Sequence, residues 1–259
     1  MPIAVKLLLA FSRDPGTSDY AEGHSEWNQG NALSILCRVF PDFLRLAQNK
    51  EILDFGCGEG AQSIALAQAG ARRVVGVDTN RETLRKAVSE LDRLGLASKV
   101  EFISDLPSGM HDVFDLVISQ NSMEHFPDPV DVLQRMRALI KPDGRLLITF
   151  GPPWYAPYGS HMQFFTKIPW VNLLFSEATV MSVRGRFRSD GACRYEEVES
   201  GLNKMSVGKF ERLLRDLGLN AEYSRYECVK GLNFLAGLPV LRELFVNHIS
   251  VIITKQPTT

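Results

Sequence analysis

Glu51-Ile52-Leu53-Asp54-Phe55-Gly56-Cys57-Gly58-Glu59-Gly60 runs from a short apolar segment into an acid, and then into three glycines at every second position. Ala61 to Ala69 follows with the composition of a helix. Strand, tight turn and helix N-terminus are the natural reading. Glycine has no Cβ and tolerates positive φ, so backbone in such a turn can approach a ligand closely. The helix start adds free N–H groups and a partial positive charge. Dinucleotide loops place their glycines as G-x-G-x-x-G around a pyrophosphate. Here the order is D-x-G-x-G-x-G, a different loop.

Further parts follow in sequence. Arg73 to Val77 reads as a second buried strand ended by Asp78, eighteen residues past Gly60. A carboxylate at that distance can accept hydrogen bonds from ribose hydroxyls. A helix is expected from about Asn80 to Leu94, stopped by Gly95. Val100 to Ile103 is a third strand followed by Ser104-Asp105, and Phe114 to Ser119 is a fourth. Gln120-Asn121-Ser122-Met123-Glu124-His125-Phe126 comes after it, and Leu139-Ile140-Lys141-Pro142-Asp143-Gly144 turns into a fifth strand, Arg145 to Phe150.

Over residues 48–150 these ordered motifs resemble the class I S-adenosylmethionine-dependent methyltransferases, in the small-molecule branch that includes the ubiquinone and menaquinone biosynthesis enzymes. The resemblance implies an α/β fold: a Rossmann-like seven-stranded, mostly parallel sheet with its last strand antiparallel, helices on both faces and a cap insertion after the fifth strand. It implies S-adenosyl-L-methionine as cofactor and S-adenosyl-L-homocysteine as product. The cofactor-binding residues it implies are Asp54, Gly56, Cys57, Gly58 and Gly60 around the methionine end. Asp78 and Thr79 follow at the ribose, Asp105 and Leu106 at the adenine, and Asn121 after the fourth strand. Asp54 fixes the loop or meets the cofactor's amino group through water. A reactive-thiol role for Cys57 is disfavoured, because no base is near in sequence.

Composition narrows the class. The 259 residues carry 29 basic and 30 acidic side chains, so no basic footprint points to nucleic acid. Cys37, Cys57, Cys193 and Cys228 show no paired spacing, which suggests neither a zinc site nor a disulfide framework. Ile3 to Phe11 is apolar but short and interrupted by Lys6, and no apolar run reaches the ~20 residues that span a bilayer. A cytoplasmic protein is the expectation, with peripheral lipid contact open.

One methyltransferase domain is expected over 1–259: an N-terminal helical lead-in at 1–47, a cofactor-binding core at 48–150, a cap at 151–205 and the last helix and strands at 206–259. The second half of the lead-in, Asn28 to Ala47, has helical character broken by Pro41. The link from Ser104 to Val113 is too short for a full helix. Asp128, Pro129 and Asp131 mark a helix start. Ser206 caps a helix through Leu217, closed by Gly218. Glu222 to Val229 and Asn247 to Thr254 are the last two strands, with an apolar insert at 231–245 whose Gly231, Gly237 and Pro239 argue against one continuous helix.

The cap holds nine of the chain's 24 aromatics. Ligands in open α/β sheets bind beyond the carboxyl ends of the strands, where the cap begins. The cap is therefore read as shaping the acceptor site, with Trp154 and Tyr158 as candidate substrate contacts; packing is the alternative for each. A hydroxyl nucleophile needs a general base. His161, in the cap, and His125, after the fourth strand, are the candidates, each with a structural alternative. Arg184, Arg186, Arg188 and Arg194 form a basic stretch that suits a solvated face or an anionic acceptor. Methyl transfer to a small-molecule hydroxyl, on a sugar, lipid-linked or secondary-metabolite acceptor, is the reading. A non-catalytic cofactor-binding domain and a nicotinamide-dependent oxidoreductase are the alternatives.

Overall fold

A computed structural model describes residues 1–14, 31–198 and 201–255. Asn28 to Gly30 of the expected lead-in lie outside the described residues. The chain begins with α1 (Ile3–Ala10), α2 (Ser34–Val39) and α3 (Phe43–Ala47). The core then alternates β1 (Glu51–Phe55), α4 (Ala61–Gln68), β2 (Arg73–Val77), α5 (Arg81–Leu94), β3 (Val100–Ile103), β4 (Phe114–Gln120), α6 (Pro129–Leu139) and β5 (Ile140–Phe150). After it come α7 (Val171–Leu174), α8 (Glu177–Arg184), α9 (Val207–Asp216), β6 (Ala221–Cys228), α10 (Pro239–Phe245) and β7 (Val246–Thr254).

The helix boundaries follow local chemistry. Asn80 caps α5 by accepting from Glu82 N and Thr83 N, and Gly95 ends it in the left-handed conformation. Asp128 caps α6 with Pro129 at the first helical position, and Ser206 Oγ caps α9 through Lys209 N. Pro41 separates α2 from α3, as expected. Residues 104–113 run as turns without a helix, so the crossover from β3 to β4 is reduced.

The strands form one sheet in the order β3-β2-β1-β4-β5-β7-β6, with β7 antiparallel to both neighbours. α6 and α9 bury Leu133, Met136 and Phe210 on one face against Leu53, Val117, Ile148 and Val251. α2 to α5 cover the other, where Leu36, Phe43, Ile64 and Leu91 meet Ile52, Val74, Leu116 and Ile252. The lead-in divides: α2 and α3 pack on the sheet, whereas α1 joins the cap. Val5 and Leu8 of α1 pack with Phe165, Val180, Met181 and Tyr195 in a separate core, and Ser12 bridges Thr166. Sequence reasoning saw only a short apolar stretch at 3–11, because the partner that makes it a helix lies some 170 residues away.

The four cap arginines do not assemble into one cationic face. Arg184, only 5% exposed, grips Asp190 through two bonds of 2.7 and 2.6 Å. Arg194 pairs with Glu196, and Arg188 lies over the Phe164 ring. Insert 231–245 breaks into a short 3-10 segment and α10, as its glycines and proline suggested.

Two expectations test this packing. A Cβ on Gly60, at φ +78, would lie 2.4 Å from the Phe102 ring, whereas nothing stands within 4 Å of one on Gly95, at φ +65. Gly60→Ala should therefore cost at least about 2 kcal/mol in urea unfolding, and Gly95→Ala about 1. The Arg184 hydrogen bond holds the Asp190 carboxyl down at about 2. A carboxyl lower in the folded than the unfolded state contributes stability above pH ~4, which fades as pH falls towards 2. The gap between wild type and Asp190→Asn in unfolding midpoint should accordingly narrow between pH 6 and pH 3.

Candidate active site

The turn after β1 is held from both sides. Gly56 N and Cys57 N donate to the Val77 carbonyl at 2.8 and 3.0 Å, tying the loop to the end of β2. Asp54 is buried, and its two oxygens accept from Gln62 Nε2 at 2.7 Å and Ser63 Oγ at 2.6 Å, both in the first turn of α4. Burial pushes its carboxyl up to about 6 against the pull of those bonds. Asp54 is thus the clamp that fixes the loop, the first of its two expected roles. Gly56, Gly58 and Gly60 all have positive φ. A Cβ at Gly56 would strike Ser122 Oγ, but around Gly58 the space is open. Cys57 is buried and its thiol is pushed up by desolvation and by Asp54 and Asp78, so it stays protonated and unreactive.

Asp78 ends β2 with one oxygen on Gly58 N at 2.9 Å and the other on Asn80 N at 2.8 Å. It therefore sits against the loop, half-buried, with Thr79 exposed beside it. Asp105 takes Leu106 N at 2.9 Å and faces Arg135 at 3.3 Å; its side chain is exposed and Leu106 is buried. Asn121 adopts φ 51 at the end of β4, and its Oδ1 is buried without a partner.

The carboxyl edge of β4 and β5 carries a group of polar side chains whose proximity is tertiary. Glu124 is buried; Oε1 accepts from Gly151 N at 3.3 Å and Oε2 has no partner. Burial raises its carboxyl to about 7. The His161 ring, from the cap, comes close to the backbone of the next residue, Pro152. Nε2 of that ring is buried without a partner. Burial, with the neighbouring charge of His125, drops His161 to about 4, so it is neutral at physiological pH. His125 stands edge-on with ring centroids 5.4 Å apart, and its Nδ1 donates to the Gly201 carbonyl at 2.7 Å. His125 thereby ties the loop after β4 to the end of the cap.

Tyr158 OH reaches the Lys167 carbonyl at 3.5 Å at the cap margin. Trp154, partly buried, packs edge-to-face on Tyr195 against the cap core, with Lys204 above its ring. That is the packing alternative for Trp154, and it leaves Tyr158 nearer the surface.

Sequence reasoning missed Gln120, Glu124 and the polar row behind them. Strand register aligns Gln120, Thr149 and Ser250 across β4, β5 and β7. One step earlier on the same face the row is Ile118, Leu147 and Ile252. Both amide atoms of Gln120 and Thr149 Oγ1 are buried without partners. Buried polar groups are normally hydrogen-bonded, so this cluster calls for ordered water or a ligand. The one signal in the sequence was a polar ending, Ser119-Gln120, to an apolar strand. A groove of about 670 Å³ at the opposite edge, walled by Lys50, Asp115 and Lys141, lies away from these groups, and Lys141 there bridges Glu51 and Asp115.

The Asp54 carboxyl titrates higher folded than unfolded, so its ionisation weakens the fold as pH rises from about 4 through 6. Asn keeps both hydrogen bonds, with Gln62 turning over its unpartnered Oε1. Asp54→Asn should gain stability relative to wild type between pH 4 and pH 7, on the order of 2 kcal/mol, in denaturant titrations at the two pH values.

Residues 46–152 match the family model described as a methyltransferase domain. The ubiquinone biosynthesis O-methyltransferase of Actinobacillus pleuropneumoniae is 35% identical over 106 residues, 39% of this chain and 45% of that protein. The enzyme of the same name from Haemophilus ducreyi is 33% identical over 139 residues, 49% of this chain and 58% of that one. The chain spans about half the length of the curated relatives it matches. The fold matches that of a geranyl diphosphate methyltransferase solved with its cofactor, at a TM-score of 0.57 and 14% identity, covering 88% of this chain and 85% of that one. The matched residues are similar to methyltransferase domains, the seven-stranded sheet around them has the fold of solved S-adenosylmethionine-dependent methyltransferases, and the chain shows distant similarity to the ubiquinone biosynthesis O-methyltransferases.

Proposed function

We propose that this protein methylates a hydroxyl of a small-molecule acceptor of the sugar, lipid-linked or secondary-metabolite kind, with His161 as general base. The observation that carries this reading is His161 Nε2, buried and unpartnered, on a neutral ring edge-on to His125 beyond the end of β4. The donor set suits the cofactor: open space over Gly58, carboxylates at Asp78 and Asp105 and an unpartnered Asn121 Oδ1 are what an aminoacyl–ribose–adenine chain needs. Gly56, Gly58 and Gly60 would lie along its methionine end, Asp78 and Thr79 at the ribose, Asp105 and Leu106 at the adenine. Bound there, S-adenosylmethionine supplies a methyl group already activated by its sulfonium.

The remaining work falls to the chain. The cap and the loop after β4 exclude water and hold the acceptor oxygen at near-attack distance, about 3 Å. His161 Nε2 takes the proton as the oxygen gains its methyl. His125 acts as a strut through Gly201. Gln120, Thr149 and Tyr158 supply neutral hydrogen-bonding groups for the polar end of the acceptor, with Trp154 supporting them from the cap core. A cytoplasmic location fits the four cysteines, none of them in a disulfide. No helix among the described residues is long and apolar enough to cross a membrane, so contact with a lipid-linked acceptor would be peripheral.

Calorimetric titration with S-adenosylhomocysteine tests the cofactor assignment. Gly58→Ala should bind at least tenfold more weakly while losing only about 1 kcal/mol of stability, because a Cβ there meets no protein atom. Silence of the unchanged protein towards S-adenosylhomocysteine, with binding of NAD instead, would remove the reading. For the base, release of S-adenosylhomocysteine is followed against a panel of hydroxylated acceptors. His161→Ala should lower kcat about 100-fold or more with cofactor affinity unchanged, and His125→Ala should do so much less. The wild-type rate should be flat from pH 6 to 8 and fall only towards about 4. A limb near 6.5, or full activity in His161→Ala, would exclude His161 as base.

A further inference from the structure

On the face covered by α2 to α5, the apolar sheet ends in polar side chains. Gln120, Thr149 and Ser250 lie side by side across β4, β5 and β7, and Arg225 of β6 pairs with Ser250. One step nearer the edge, His248 pairs with Glu227. Gly151 lies next to His248 on the β5 side, where an added Cβ would stand 3.1 Å from His248 Cα. Four side-chain atoms of this group are buried with no partner among the described residues: Gln120 Nε2 and Oε1, Thr149 Oγ1 and His248 Nε2.

The charged members of the group are already engaged. Glu227 Oε1 takes Arg38 of α2 and Arg225, and Oε2 lies 3.7 Å from His248 Nδ1. Arg225 also donates to the Arg38 carbonyl at 3.0 Å, and Ser250 Oγ stands 3.4 Å from His248 Nδ1. Burial drops His248 to about 4 against the pull of Glu227, with Arg38 and Arg225 adding to the shift, so its ring is neutral at physiological pH. What stays open is a carboxamide, a hydroxyl and a neutral imidazole nitrogen. The amide has donors and an acceptor, the threonine hydroxyl has both, and Nε2 is one or the other by tautomer. A ligand hydroxyl donates and accepts, so it satisfies all of them. A carboxylate only accepts and leaves Gln120 Oε1 unpaired, and an apolar ring leaves all four atoms unpaired.

We propose that Gln120, Thr149 and His248 form a subsite for the further hydroxyls of a neutral polyhydroxylated acceptor, a sugar or cyclitol ring, apart from the hydroxyl that is methylated. Gly151, beside His248, is followed by Pro152, beside the His161 ring, so the subsite and the base flank one turn of the chain. Its role towards an acceptor rests on the methyl-transfer reading; its affinity for a polyol does not.

The test is calorimetric titration of the whole protein, with and without S-adenosylhomocysteine, using methyl glucopyranoside, its uronate, myo-inositol and cyclohexanol as probes. The glucoside or inositol should bind at least tenfold more tightly than cyclohexanol, and the uronate no better than the glucoside. Thr149→Val and Gln120→Leu should each weaken polyol binding at least fivefold while keeping or raising the melting temperature, because each removes a buried polar group that has no partner. His248→Phe should weaken it likewise, and His248→Gln should restore most of it. Cyclohexanol binding as tightly as the polyols, or Thr149→Val and Gln120→Leu binding them unchanged, would overturn the proposal. So would polyols that do not bind, which would leave ordered water as the occupant of the row. Tighter binding of the uronate would overturn the neutral class. Polyol binding by a protein that ignores S-adenosylhomocysteine would keep the subsite and remove the methyl-transfer reading instead.

Discussion

A buried carboxylate and the backbone around it set the geometry on which the site depends. Asp54 leaves β1 with both oxygens committed to α4, so the loop between them has no freedom to widen. The Val77 carbonyl holds the same loop from β2. Within that clamp the chain must reverse in five residues, which requires left-handed backbone at Gly56, Gly58 and Gly60. Two of these glycines are needed for close packing, against Ser122 and Phe102. Only Gly58 faces open space. The distinction separates the glycines that the packing requires from the one whose neighbourhood is open.

The second centre is built on a dipeptide. Gly151 and Pro152 follow β5; the first presents its N–H to Glu124 and the second lies beside the His161 ring. The two side chains come from the loop after β4 and from the cap. The cost is two ionisable groups held away from water, both shifted towards their neutral forms. Groups shifted in this way beside unpartnered polar atoms are the usual mark of a reacting centre.

The cap is a second hydrophobic core rather than a loose connection. Its aromatics pack on one another: Trp154 on Tyr195, Phe165 on Phe164 and Phe187. α1 completes that core from the far end of the chain. The Arg184–Asp190 pair closes it from the side that sequence alone would have assigned to solvent or substrate. A run of arginines in a sequence says nothing about which one turns inward, because that depends on an acid six residues away and the curvature of the chain between them.

Sequence by itself determined the parallel core. Spacing of Asp54, the glycines, Asp78 and Gly95 fixes strand, turn and helix locally, because caps, left-handed glycines and apolar runs act within a few residues. Asp54, Asp78 and the loop were therefore legible, as were the reduced link at 104–113 and the break at Pro41. Only the tertiary structure decided that α1 belongs to the cap and that Trp154 packs on Tyr195. It alone brought Glu124 against Gly151, and Gln120 into one row with Thr149 and Ser250. Those relations join residues 27 to 170 positions apart, and no local propensity encodes which strand edge or which helix will meet. The burial that makes His161 neutral and leaves its Nε2 unpartnered arises in the same way, from packing that exists only once the sheet and the cap have come together.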